Sequence, residues 1–326
     1  MKEKRFEFVL QADAPIAHSE GTIGNSSVLM RQKVRLPGGR WAKVPYITGD
    51  TMRHGLREAG AWAYLDAAGL VDDPSLTESA LRLLFAGGMV TKLGPTVNLE
   101  EFRRLAEICP PLGLLGGCAQ NRVIEGQVHV DEALLICSET QHLFPQWLKD
   151  WLSEQEESVE SARKHVNERT RVRMDPALSP GKRELLLPES KQEIQQRLLA
   201  GEIAAGADDA KGKEAAKSTN MPRNFEVVER GSLFYWSIQG RVCSELQEDT
   251  FMVMLGAFLS HCQVGGKKAT GHGMLKPVHC RQVHVRPVSQ RTEVFSLSTA
   301  KIGDVFRAHC REKAGEIRDF LGSVAA

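Results

Sequence analysis

The chain has 326 residues, 42 Lys and Arg against 41 Asp and Glu, 42% hydrophobic side chains and seven cysteines, enough to bury a large core or two. A formal charge of +1 excludes the overall basic field by which many proteins attract nucleic acid, so a polyanion must be met by local patches. No stretch approaches the roughly 18 apolar residues of a membrane helix, and the start, Met1-Lys-Glu-Lys-Arg-Phe-Glu-Phe-Val, lacks a signal peptide's apolar run, so a cytoplasmic protein with no membrane partner is expected.

Phe6-Glu-Phe-Val-Leu-Gln-Ala alternates apolar and polar residues with period two, the pattern of a half-buried strand. A polar, Gly-rich loop follows from Pro15 to Ser27. Then come the strand-like Val28-Leu-Met-Arg-Gln-Lys-Val-Arg-Leu, a Pro37-Gly-Gly39 turn and Trp41-Ala-Lys-Val-Pro-Tyr-Ile. Thr48-Gly-Asp-Thr51 offers capping side chains before a segment in which Met52, Leu56, Ala59 and Trp62 recur at helical spacing. Residues 74 to 108 read as mainly helical, Pro110-Pro-Leu-Gly-Leu-Leu-Gly-Gly117 breaks the pattern, and strand-like segments appear at Val123 to Val130 and Ala133 to Cys137.

Between positions 149 and 217, 27 of 69 residues are charged, and no aromatic occurs from Leu152 to Asn224; such a segment cannot build a core of its own. It contains Arg169-Thr-Arg-Val-Arg-Met174, a capping-box pair Ser190 and Glu193, and a Gly/Ala/Lys/Asp-rich stretch, Gly201 to Ser218, that reads as mobile. From Phe225 two β-rich runs flank a Gly-Ser turn, a helix spans Glu248 to Cys262, a glycine loop leads into the strand-like Met274 to Val285, and an amphipathic helix runs roughly from Ile302 to Phe320. Three stretches are thus expected: 1–148, the charged insertion 149–223, and 224–326.

P-loop, HExxH, G-x-S-x-G and EF-hand signatures are missing. The seven cysteines run from Cys109 to Cys310 without C-x-x-C spacing, and His-Cys neighbours occur at 261–262, 279–280 and 309–310 without the paired spacing that puts two ligands on one ion. Free thiols, no metal site and no cofactor are expected.

Three local features remain. In Gly265-Gly-Lys-Lys-Ala-Thr-Gly-His-Gly273, glycines at 265, 266 and 271 permit positive φ and converging N–H groups, and Lys267 and Lys268 supply charge beside His272. The loop can grip phosphate, or it can be an ordinary connection with two solvated lysines. Arg53 and Arg57 lie one turn apart near a helix N-terminus, with His54 between them, a geometry that suits a sugar-phosphate chain as well as a capped surface helix. Asp50 counts against the first of these, because it would itself repel an anion. Arg169, Arg171 and Arg173 share one side if their segment is a strand, and scatter if it is a helix.

The order of these features resembles the RAMP superfamily, the backbone proteins of CRISPR effector complexes. Val44-Pro-Tyr-Ile-Thr-Gly-Asp-Thr-Met-Arg-His-Gly-Leu-Arg57 is similar to that family's IPGSSLKGALR segment, and Leu112-Gly-Leu-Leu-Gly-Gly117 to its LFG turn. Glu226-Val-Val-Glu-Arg-Gly-Ser-Leu-Phe-Tyr-Trp-Ser-Ile resembles its strand pair, and Gly265 to Gly273 its GGxKSxGxG loop, in order from about residue 6 to residue 285. The resemblance implies an α+β fold: an RRM-like, ferredoxin-like core (the palm) with large insertions, the aromatic-free one taking the place of a projecting thumb. It also implies a guide-RNA (CRISPR RNA) partner, a target DNA or RNA reached by guide pairing, further copies of the chain in a helical filament, and other effector-complex subunits. The loop after strand one, with His18, Ser19 and Asn25, and the Arg53 helix would hold guide backbone. The glycine loop would help to shape the palm.

The His18-Ser-Glu-Gly loop and the helix entry are most similar to the backbone protein of type IV systems, with type III proteins as relatives. Type III relatives cut target RNA with an aspartate in the loop after strand one; here that loop has Glu20, with Asp13 before it. A non-catalytic guide-RNA-binding subunit is therefore the expectation. The alternatives are a RAMP endoribonuclease using Asp13, Glu20, Asp50 or His18, and a scaffold with no RNA role.

Overall fold

A computed structural model of the chain describes residues 2–23, 26–72, 76–88, 99–119, 122–156, 158–172, 187–199, 222–285, 290–294 and 303–323. They fall into two compact units. One takes Met1–His18, Met30–Val166 and Val228–Ala326; the other takes Ser19–Leu29 and Asn167–Val227.

In chain order the first half holds β1 (Lys2–Ala12), β2 (Ser19–Ile23), β3 (Ser26–Leu29), β4 (Arg31–Arg35), β5 (Trp41–Ile47), α1 (Gly49–Ala67), α2 (Glu78–Ala86), α3 (Leu99–Ile108) and α4 (Pro110–Leu115). Short strands β6 (Gly117–Ala119), β7 (Arg122–Ile124), β8 (Val128–Val130) and β9 (Ala133–Leu135) precede α5 (Gln146–Glu154). Next are β10 (Val166–Val172), α6 (Pro188–Leu199), β11 (Pro222–Val228), β12 (Leu233–Val242) and α7 (Glu245–Ser260). The chain continues with β13 (Leu275–Val285), β14 (Gln290–Val294), α8 (Asp304–Glu312) and α9 (Ala314–Ser323).

The centre of the first unit is an antiparallel sheet in the order β13-β1-β12-β9, with α1 between the first and second core strands and α7 between the third and fourth. That is the βαββαβ arrangement of an RRM-like, ferredoxin-like α+β fold. Alternation in β1 builds it: Phe6, Phe8 and Leu10 are fully buried on the helix-facing side, opposite Ile238, Trp236 and Phe234 of β12. Phe8 stacks on Trp236 at 5.1 Å between ring centroids, Trp236 meets Phe258 at 5.7 Å, and Phe6 meets Phe251 at 5.9 Å. Gly55 and Gly60 let α1 approach α7, since a Cβ at either would lie within 2.8 Å of Phe258 or Met254. Beyond β9 the sheet is extended by β5 and β4, and beyond β13 by β14.

Two segments depart from the sequence expectation, one forming helix where a break is expected and one breaking a helix expected to be continuous. Pro110 and Pro111 open α4, because proline is well tolerated in a helix's first turn, where its missing N–H costs no bond. The C-terminal helix divides at Lys313 into α8 and α9, so that Phe306, Cys310, Ile317 and Leu321 all enter one core cluster with Tyr64 and Leu83. The Asp249 carboxylate of α7 accepts the N–H groups of Gly303 and Phe306 and so starts α8.

The unit boundaries also differ from the stretches read off composition. Residues 149–166 belong with the first unit because Leu148 and Leu152 of α5 are buried against Val9 and Leu233, on the sheet face away from α1. In the second unit the sheet order is β10-β11-β3-β2; β11 runs parallel to β3, and β3 antiparallel to β2. Thr170 donates to the Asn224 side chain at 2.9 Å, and the Leu29 N–H donates to Glu226 at 2.9 Å. All seven cysteines are free. Among the described residues no helix is long and apolar enough to cross a membrane.

Candidate nucleic-acid interface

Segments that the sequence singles out separately meet in the first unit. As the chain leaves β1, the N–H groups of Asp13 and Ala14 donate to the Met274 carbonyl, Gly273 donates to Pro15 at 2.9 Å, and Gly266 donates to Ala17 at 2.7 Å. The exit of β1 is thus zipped along the glycine loop. The next residue, His18, accepts the backbone N–H of Thr48 at Nε2, 3.4 Å away. Thr48 is the N-cap of α1, its hydroxyl accepting from the Thr51 N–H. Lys268 reaches back to α1 at 3.9 Å from Glu58.

Close approach explains the glycines. A Cβ on Gly273 (φ +92°) would lie 2.1 Å from the Val264 carbonyl oxygen, and one on Gly265 (φ +74°) 2.9 Å from that of Ala17. Gly271 (φ +77°) turns in open space, and Lys267 holds a left-handed φ of 59° without being glycine. The Gln263 amide, which the sequence does not single out, donates to the carbonyls of Lys268 (3.2 Å) and His272 (3.0 Å) and ties the loop across its neck. The N–H groups of Gly266, Thr270, Gly271, His272 and Gly273 all go to protein carbonyls. The loop therefore presents an anion with the charges of Lys267 and Lys268 rather than with those five amides. The half-buried His272 ring has Nδ1 3.0 Å from the Thr270 carbonyl oxygen.

Arg53 and Arg57 do share one face of α1, and that face is turned to the protein's own backbone. Arg53 donates to the carbonyls of Val128 (2.9 Å) and Leu115, and Arg57 to those of Gly116 (3.0 Å) and Leu115 (3.2 Å). They pin the Leu112–Gly117 turn to the helix, which joins two of the sequence motifs. Burial lowers the pKa of both guanidiniums, that of Arg57 to about 10 with the Arg53 charge adding to the effect; both stay charged at neutral pH. His54, between them, is exposed. Burial also lowers the His18 pKa, which suits an imidazole nitrogen that accepts a hydrogen bond.

In the second unit Ser19 is exposed on β2, and Arg169 and Arg171 lie on one side of β10, the first half-buried and the second exposed. Asn25, Arg173 and the stretch 201–218 lie outside the described residues. Of the carboxylates considered for catalysis, Asp13 sits 3.8 Å from Lys276, Asp50 lies exposed in the first turn of α1, and Glu20 is exposed on β2. The sheet face away from α1 and α7 carries Tyr235, but Phe144 and Trp147 cover it at 5.6 and 6.2 Å between centroids, and Arg281 lies over Trp147.

No family model matches the sequence, and no curated protein matches it. Among solved structures, a chain from one titled "Type IV-B CRISPR Complex" is similar to this chain in fold. The TM-score is 0.52 and the identity 19%, and the match covers 93% of this chain and 98% of that one.

Proposed function

We propose that the chain is a non-catalytic backbone subunit of a type IV-like CRISPR effector complex, which polymerises along guide RNA and presents it for pairing with target nucleic acid. The observation that carries this reading is that the likeness to a chain of a type IV-B CRISPR complex spans nearly the whole of both chains. The junction of the β1 exit, the α1 N-terminus and the lysine-bearing loop supports it, because it gathers Lys267 and Lys268 with α1 in one unit. The partners are the guide, further copies of the chain and other subunits of the complex. No cleavage step is part of the proposal: Asp13 faces a lysine, and Asp50 belongs to a helix start.

Co-expression with a repeat-spacer transcript tests the reading. The purified protein should carry that RNA, with several copies of the chain per guide, and labelled complementary RNA should stay intact with Mg²⁺. Folded protein that emerges free of RNA would overturn the binding role; site-specific products abolished by a substitution at Asp13 or His18 would overturn the non-catalytic one.

A further inference from the structure

The hairpin of β4 and β5 belongs to the first unit, and its residues from Arg31 to Lys43 belong to none of the motifs above. Between Glu20 and Asp50 the sequence has no carboxylate, yet Arg31, Lys33, Arg35, Arg40 and Lys43 fall within it. The antiparallel register pairs Arg35 with Trp41 and Lys33 with Lys43. Directly opposed residues share a sheet face, so these four side chains stand together. Val34 and Val44, on the other face, are buried, while Lys33, Arg35, Arg40, Trp41 and Lys43 are exposed. Trp41 keeps 65% of its surface accessible. None of the four cations Lys33, Arg35, Arg40 and Lys43 is ion-paired with another described residue.

Stability does not account for this face. Like charges placed directly opposite each other weaken a strand pair, and an exposed tryptophan leaves a large apolar surface in water. Lysine on an outer strand is a common guard against sheet-to-sheet association, but a tryptophan beside it works the other way. Cations at two-residue spacing next to an aromatic ring do match one class of ligand: a flexible polyanion carrying flat rings. Phosphates neutralise the lysines and arginines, and one base stacks on the indole, with no requirement for base identity.

We infer that the outer face of the β4–β5 hairpin is a second nucleic-acid site, which holds a single-stranded polynucleotide by phosphate contacts to Lys33, Arg35 and Lys43 and by a base on Trp41. It uses no residue of the interface around His18 and Lys267. It extends the proposed function without depending on the guide being CRISPR RNA.

The test is fluorescence anisotropy of the full chain with short labelled single-stranded RNA, single-stranded DNA and duplex, over a range of salt. Trp41→Ala should weaken single-strand binding about tenfold and Trp41→Tyr should restore most of it; both single strands should respond and the duplex should not. Lys33→Ala with Lys43→Ala should lower the slope of log affinity against log salt by about 1.4, two phosphates' worth for a single strand. Lys43→Ala alone should melt no lower than wild type, because it removes a repulsion, and should still bind less tightly. If wild type binds and all hairpin variants match it in affinity and slope, the inference is wrong and the guide-binding role stands. If hairpin-dependent binding persists but no repeat-spacer RNA copurifies, the proposed function is wrong and this site stands. The α1–α7 groove of about 580 Å³, lined by Glu58 and Asp66 together with Lys268 and Trp62, is where a second copy would receive the hairpin. If the variants lose self-association in sedimentation and keep their nucleic-acid affinity, the hairpin docks a protein and the inference is overturned.

Discussion

The backbone N–H of Thr48 donates to Nε2 of His18, 30 residues earlier in the chain. Through that bond the exit of the first core strand is fastened to the cap of α1, and through Ala17 and Gly266 the same exit is fastened to the glycine loop. One neutral imidazole therefore sits where these segments converge.

Stability should depend on that imidazole's protonation. Burial holds the folded-state pKa of His18 below the ordinary 6.5, so the unfolded chain binds the proton more readily. The neutral ring's contribution is complete above about 6.5, and it is lost as pH falls through 6.5 and below toward the folded value. A protonated Nε2 also has no lone pair for Thr48. Thermal melts of wild type against His18→Gln should diverge in this window, the variant losing less on acidification. Parallel pH profiles would show that the bond to Thr48 carries no weight.

Arg57→Ala should cost about 3 kcal/mol in denaturant unfolding, because two charge-assisted bonds vanish and the carbonyls of Leu115 and Gly116 lose a donor. Arg57→Lys should recover only part of this, since an ammonium cannot span both oxygens as a guanidinium fork does. A loss of RNA affinity with unchanged stability would instead assign this arginine to the ligand.

Gly273→Ala should destabilise the loop far more than Gly271→Ala, although both residues have left-handed backbones. Only the first brings a Cβ onto a carbonyl oxygen, at 2.1 Å. The expected cost is about 1 kcal/mol at Gly271 and several times that at Gly273, read as the difference in unfolding midpoint.

Lys267→Ala should lower guide-RNA affinity to a similar degree for unrelated guide sequences and reduce the salt slope by about 0.7, one phosphate contact on a single strand. The melting temperature should barely move. Equal affinity and slope in the variant would remove this lysine from the interface.

Much of the fold was legible because period and composition carry it. The alternation of Phe6, Phe8 and Leu10, the capped start of α1 and the Gly-Ser turn before Leu233 all describe local geometry that the chain adopts for reasons within a few residues. The unit boundary was harder to read. Charge density marks 149–217 as coreless, yet Leu148 and Leu152 bury themselves on a sheet whose strands lie far away in sequence. The hairpin face lies in the sequence as an acid-free stretch with five cations, but only the register shows Arg35 beside Trp41 and Lys33 opposite Lys43.

By itself the sequence determined a near-neutral chain with concentrated basic segments, the strand and helix periods of the core, and the glycines of the 265–273 loop. Tertiary structure decided what those segments are used for. Arg53 and Arg57 read as a cationic face, and the fold spends them on carbonyls; the loop's glycines read as an anion cradle, and five of the loop's amides are spent on the protein itself. The reason is physical: spacing fixes which side chains share a face, whereas a hydrogen-bond donor's partner is whatever acceptor folding brings within 3 Å or so, and that depends on contacts across the whole chain.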